Sequence, residues 1–156
     1  MNDKLFDAIR NGDLEMVQAI ITAHPELVNI KDQRGSTPLL LATYYGNQDI
    51  SEAILKQKPD LNAKDSSGNT ALMGVCFKGY PVIAKLLIES GADVNAVNLN
   101  HATALIYAAT FAQSEIAQML IENGANLSHK DEKGNTAFDH AKMQGSTNLM
   151  EILEEK

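Results

Sequence analysis

The feature that most constrains this 156-residue chain is a repeat of 33 residues. Asp32, Asp65, Asn98 and Asp131 stand at that spacing, and Gly35, Gly68, His101 and Gly134 follow three positions later. Two further on, the series is Thr37, Thr70, Thr103 and Thr136. Leu39, Leu72, Leu105 and Phe138 form one apolar register, and Ile50, Ile83, Ile116 and Leu149 form another. Asn29, Asn62, Asn95 and Ser128 close the units. A unit of this size cannot bury its own apolar faces, so the units must stack and cover one another. One globular core with unrelated halves is excluded.

Each unit reads as a turn followed by two helices. Asp bonds nearby backbone N–H groups and Gly supplies positive φ, so Asp-x-x-Gly makes a turn. Thr then caps a helix, and Pro38 occupies the first helical position, where the missing N–H costs nothing. The first helix is short, about nine residues, for instance Thr37 to Tyr45, and Gly46, Gly79 and Gly145 break it or its equivalents. The second helix carries apolar residues at helical spacing, as in Val82, Ile83, Leu86, Leu87 and Ile88. Gly91 and Gly124 follow at C-terminal capping positions.

The segments Asp32-Gln33-Arg34-Gly35-Ser36-Thr37-Pro38-Leu39, Asp65-Ser66-Ser67-Gly68-Asn69-Thr70-Ala71-Leu72 and Glu89-Ser90-Gly91-Ala92-Asp93-Val94-Asn95-Ala96 make the chain similar to ankyrin-repeat proteins. The resemblance implies an all-α solenoid of stacked antiparallel helix pairs, with short β-hairpin-type loops projecting to one side. It divides residues 1–156 as one domain: an N-terminal cap (1–31), inner repeats (32–64, 65–97, 98–130) and a C-terminal cap (131–156). The last unit is expected to end with its second helix at Lys156. Glu154 stands there where inner units have Leu55, Ile88 and Ile121, as suits a solvent-facing cap. Departures are expected to leave marks. Lys58-Pro59 replaces Gly-Ala, so that helix must end without an αL glycine. His101 and Ala112 occupy glycine positions in the fourth unit, so either non-glycine residues at positive φ or a reshaped turn is expected there. Leu40, Met73, Ile106 and Asp139 replace the family's histidine, removing its usual bracing of the first helix.

Little in the chain points to catalysis. It has no phosphate-binding glycine loop, no H-E-x-x-H, no C-x-x-C and no nucleophile elbow. The Asp-x-x-Gly turns lack the alternating oxygens and closing Glu of a calcium loop. His101, His129 and His140 share no metal-ligand spacing, and Cys76 has no histidine in its own unit to act as base. Asn126-Leu127-Ser128 matches a glycosylation sequon, but it falls in the Asn-rich unit end. The expectation is therefore a non-enzyme with no cofactor and no metal. No apolar run approaches membrane length, the first residues lack a signal peptide's pattern, and the single cysteine suits a reducing compartment. A monomeric, cytoplasmic protein is expected.

Charge and aromatics divide by side. The second-helix segments hold ten acidic and three basic residues, the whole formal charge of −7. This predicts an acidic convex back, a neutral front and no nucleic-acid binding. Twelve and thirteen positions after each turn residue stand Tyr44-Tyr45, Phe77-Lys78, Thr110-Phe111 and Met143-Gln144, which include four of the eight Phe and Tyr. The resemblance places these positions on the concave partner-binding face. Arg34, Tyr44, Tyr45, Phe77, Lys78 and Phe111 are the expected contacts with another protein, and Arg10, Lys64, Lys130 and Lys133 are expected cations among them. Tyr107 and Phe138 fall in core registers. The alternative function is small-molecule binding in a groove floored by Tyr45, Phe77 and Phe111, or service as an accessory subunit of an enzyme.

Overall fold

A computed structural model describes residues 1–154. Ten α-helices are present among these residues: α1 (Asn2–Arg10), α2 (Leu14–Ala23), α3 (Pro38–Tyr44), α4 (Gln48–Leu55), α5 (Ala71–Lys78), α6 (Pro81–Glu89), α7 (Ala104–Thr110), α8 (Ser114–Glu122), α9 (Ala137–Met143) and α10 (Thr147–Glu154). A 3-10 turn, Pro25–Asn29, follows α2. The odd-numbered helices pack in one row, α1-α3-α5-α7-α9, and the even-numbered in a second, α2-α4-α6-α8-α10. Each odd helix also packs on the even helix that follows it. The result is an all-helical solenoid. The hairpin-type loops contain no strand among the described residues. The expected end at Lys156, and the charges of Glu155 and Lys156, lie outside those residues.

The invariant registers are the interior. Leu39, Leu72, Leu105, Ile50, Ile83, Ile116 and Leu149 are all buried. Thr37, Thr70, Thr103 and Thr136 each accept a hydrogen bond from the backbone N–H three residues on, capping α3, α5, α7 and α9. In the last unit the Asp139 carboxylate in turn accepts a bond from Thr136 N, completing a capping box. Where the histidine of the family pattern is missing, Leu40, Met73 and Ile106 add apolar burial. Phe138 and Tyr107 differ from expectation. Both are half-buried and only pack against the core.

Neighbouring units are laced by bonds spanning about one period. Asn29 Oδ1 accepts from Asp60 N (2.8 Å), Asn62 Oδ1 from Asp93 N (2.8 Å) and Asn95 Oδ1 from Asn126 N (2.7 Å). Lys31 Nζ donates to Lys64 O and Lys64 Nζ to Val97 O, each at 2.8 Å. Lys64 is thus a brace between units rather than a free cation of the front. Along the hairpin tips, Arg34 O accepts from Ser66 N (3.4 Å), Ser67 O from Leu99 N (3.1 Å) and Asn100 O from Glu132 N (3.0 Å).

The glycine registers show why one substitution has room and another carries strain. A Cβ on Gly68 (φ 81°) would lie 2.9 Å from Leu99 N, against backbone that cannot yield. A Cβ on Gly46 would lie 2.7 Å from the Tyr80 ring. Ala112 is the equivalent of Gly46 two units on, and the residue after it in Tyr80's register is the short Ser146. Lys58 (φ 51°), His101 (φ 57°) and Ala112 (φ 57°) all adopt left-handed backbone without being glycine. The α4 end therefore keeps the αL turn with a lysine in it.

Candidate partner-binding surface

The surface is built from the C-terminal ends of the odd helices and from the hairpin tips. Each tip is fixed by its turn residue. Oδ1 of Asp32, Asp65, Asn98 and Asp131 accepts two backbone N–H bonds, from the residues two and four positions on, at 2.9–3.0 Å. The second polar atom of Asp32, Asn98 and Asp131 is bonded to the side chain of Arg10, Tyr107 and His140 respectively, and Asp65 Oδ2 has no partner among the described residues.

Tyr44, Phe77 and Phe111 form a continuous row across three units. The Tyr44 and Phe77 rings are parallel, with centroids 6.4 Å apart and planes 8° apart. Phe111 meets Phe77 edge-on at 4.8 Å and stacks on Tyr107 at 6.2 Å. Lys78 Nζ lies 5.0 Å from the Tyr44 ring centroid, in cation–π range. The rings nevertheless stay open to solvent: Tyr44 is 41% exposed, Tyr45 48%, Phe77 44% and Phe111 40%. They are thus both packed on one another and accessible. Single exposed apolar residues are unremarkable, but a contiguous row is a feature of interaction surfaces.

Beside this row runs a groove of about 720 Å³. Arg34, Tyr44, Tyr45 and Phe77 line it, with Asp65 and Gly74. Phe111 is not part of its lining, so the expected floor of Tyr45, Phe77 and Phe111 is corrected to Tyr44, Tyr45 and Phe77. Tyr107 does line it. The sequence signal for Tyr107 was its register, shared with Leu41, Gly74 and His140, all half-buried. A core register would not alternate leucine, glycine and histidine. Arg10 is tied to Asp7 (3.3 Å) and Asp32 (3.5 Å), whereas the Arg34 guanidinium makes no bond among the described residues.

The titratable groups are structural in their surroundings. Cys76 is fully buried, and burial pushes its thiol far above the ordinary value, away from thiolate reactivity. For Asp131, burial favours the neutral acid. Bonds from Asn135 N, His140 and Lys133 N, together with the charge on His140, outweigh it and hold the carboxyl below its usual range. The bond to His140 Nε2 is 2.7 Å. Asp139 is lowered mainly by the N–H of Thr136. His129 Nε2 donates to His101 O at 2.7 Å. No three of His, Cys, Asp or Glu cluster as a metal site among the described residues, and no described helix is long and apolar enough to cross a membrane.

A family model described as ankyrin repeats, three copies, matches residues 5–98 and 75–156. The chain belongs to the ankyrin-repeat family. Ankyrin repeats are in general protein–protein interaction modules and typically non-catalytic. The Thr-capped odd helices are the first helices of the ankyrin units, the acidic even helices the second.

Proposed function

We propose that this ankyrin-repeat protein is a non-catalytic binding module that takes a partner protein on the first-helix face, through Arg34, Tyr44, Tyr45, Phe77, Lys78 and Phe111. The observation that carries this reading is the contiguous, solvent-open row of Tyr44, Phe77 and Phe111. An aromatic side chain buries about 150–250 Å². At 40–48% exposure the four rings can therefore supply roughly 260–430 Å², about a third to a half of the ~800 Å² that one side of a standard interface contributes. Tyr and Arg are also the usual hot-spot residues. The module is one domain of two caps and three inner repeats, monomeric and cytoplasmic, with its acidic back serving solubility. The test is a pull-down with wild type and the Tyr44→Ala/Phe77→Ala/Phe111→Ala variant, followed by mass spectrometry. Partners captured by wild type are expected to be lost from a variant that keeps its helical circular dichroism. Full retention of every partner refutes the reading.

The groove volume falls within the 300–1,000 Å³ typical of ligand sites, which gives a second reading, a small-molecule or regulatory site, its specific support. A metabolite screen by thermal shift separates the two, because a true ligand raises Tm with its concentration.

A further inference from the structure

The repeat itself shows what belongs beside each turn residue, and one unit lacks it. In the fourth unit the second polar atom of the turn side chain, Asn98 Nδ2, donates to Tyr107 OH at 3.0 Å. In the fifth, Asp131 Oδ2 meets His140 Nε2 at 2.7 Å. Tyr107 and His140 share one register, nine residues after the turn residue. In the second unit Leu41 stands there, and Asp32 Oδ2 is reached instead by Arg10 of the preceding unit at 3.5 Å. The third unit has neither arrangement. Its ninth residue is Gly74, and the register of Arg10 is held by Thr43, whose hydroxyl is turned inward to Leu39 O at 2.8 Å. Among the described residues Asp65 bonds only through Oδ1, to Ser67 N and Asn69 N. Both Asp65 and Gly74 line the open groove, with Tyr44 and Tyr107.

We propose that Asp65 and Gly74 form a notch that receives a tyrosine side chain of the partner protein, its ring lying over Gly74 and its O–H donating to Asp65 Oδ2. This rests on the first-helix face being the binding face. Three observations select a phenol. The register's own precedents, Tyr107 and His140, are planar rings with a polar tip. The free atom at Asp65 is a carboxylate oxygen, which only accepts, so the incoming group must donate. The groove's unpaired ionic group opposes a cationic donor: Arg10 and Asp32 both line it but hold each other at 3.5 Å, which leaves the Arg34 guanidinium, unbonded among the described residues, beside Asp65 in the lining. A neutral phenol meets Asp65 without that repulsion.

The test starts from a random dodecapeptide library displayed on phage and selected on the immobilised full chain. Enriched peptides are then measured by fluorescence anisotropy. The enriched peptides are expected to share a tyrosine, and its replacement by phenylalanine to weaken binding about tenfold, as a lost bond to a charged group does. Asp65→Asn still offers a phenol a hydrogen bond, as Asn98 Nδ2 does for Tyr107 OH at 3.0 Å, so it is expected to cost the tyrosine peptide only the charge of the acceptor, about threefold, and the phenylalanine peptide nothing. Asn98 shows that asparagine supports the same turn through Oδ1. Gly74→Tyr is expected to occupy the notch and abolish binding. Gly74→Ala is expected to bind normally, since its Cβ would lie an ordinary 3.6 Å from Tyr44 Cδ1. Peptides that carry Arg or Lys in place of tyrosine overturn the proposal, as does a phenylalanine peptide that binds as tightly as its tyrosine parent. If binding is lost in Tyr44→Ala and kept in Gly74→Tyr, the notch falls and the binding face stands. If it survives both, or no peptide is selected, both readings fall.

Discussion

His101→Gly is expected to stabilise the protein. His101 holds φ at 57° in the hairpin tip of the fourth unit, where Gly35, Gly68 and Gly134 stand in the others. Left-handed backbone costs a non-glycine residue about 1–2 kcal/mol. Glycine gives back part of that, about 0.4–1 kcal/mol, because it loses more freedom on folding. At mid-range values the net gain is about 0.8 kcal/mol, which corresponds to a rise of about 2–3 °C in Tm for a chain of this size. Nothing else should be lost. The imidazole of His101 makes no hydrogen bond among the described residues, and the bond it receives from His129 goes to its backbone oxygen, which glycine retains. Thermal unfolding followed by circular dichroism, with His101→Ala beside His101→Gly, separates strain from side-chain contact. Alanine removes the ring but keeps the strain, so its Tm should stay at or below that of wild type while glycine's rises. An unchanged or lower Tm for His101→Gly refutes the strain argument. It would mean that the imidazole holds the tip by a contact worth at least as much as the backbone penalty.

Asp131 gives a pH prediction. Its carboxyl is held below the unfolded value of about 3.9, so its contribution is fully present above about pH 4 and disappears as pH falls through the folded value. Asp131→Asn should therefore lower Tm at neutral pH, with the gap to wild type closing in acid; a gap independent of pH refutes the assignment. Cys76 should react with a thiol reagent such as DTNB only as fast as the stack opens, because the side chain is buried and its thiolate disfavoured. Rapid labelling of the native protein at neutral pH would contradict that.

What was legible in the sequence was what is local or strictly periodic. The Thr caps reach three residues and the Asp turns two or four, distances fixed by the backbone, so residue type alone locates them. The core registers follow because a leucine or isoleucine recurring every 33 residues has the same neighbour each time. Lys64, Tyr107 and the lining of the groove were not legible, because each depends on what the adjacent unit puts opposite. Lys64 looked like a free cation until Val97 O, 33 residues away, appeared as its acceptor. Tyr107 looked like a core position, although Leu41, Gly74 and His140 share its register. Its ring instead emerges beside Phe111, where the helix turns it toward the groove.

The departures of the fourth unit have separate physical causes. Asn98 is only 6% exposed, the most buried of the four turn residues, and its amide bridges Asn69 Oδ1 (2.9 Å) and Tyr107 OH (3.0 Å). An aspartate there would bury a charge and present an acceptor to Asn69 Oδ1, a combination that costs more than the amide. Asparagine keeps the turn's Oδ1 acceptor and adds the donor that this buried position requires. Ala112 is different: its methyl is tolerated because the next unit offers a serine, not because it gains a contact. His101 gains no bond through its side chain. One unit thus contains a substitution that satisfies buried chemistry, one permitted by spare room and one that carries backbone strain. Because units of a solenoid contribute locally to stability, these effects act at the fourth unit and its neighbours. The third unit is one of those neighbours: the Asn98 amide bonds Asn69 Oδ1 at 2.9 Å and Tyr107 lines the groove with Asp65 and Gly74, so the fourth unit supplies part of the wall of the notch.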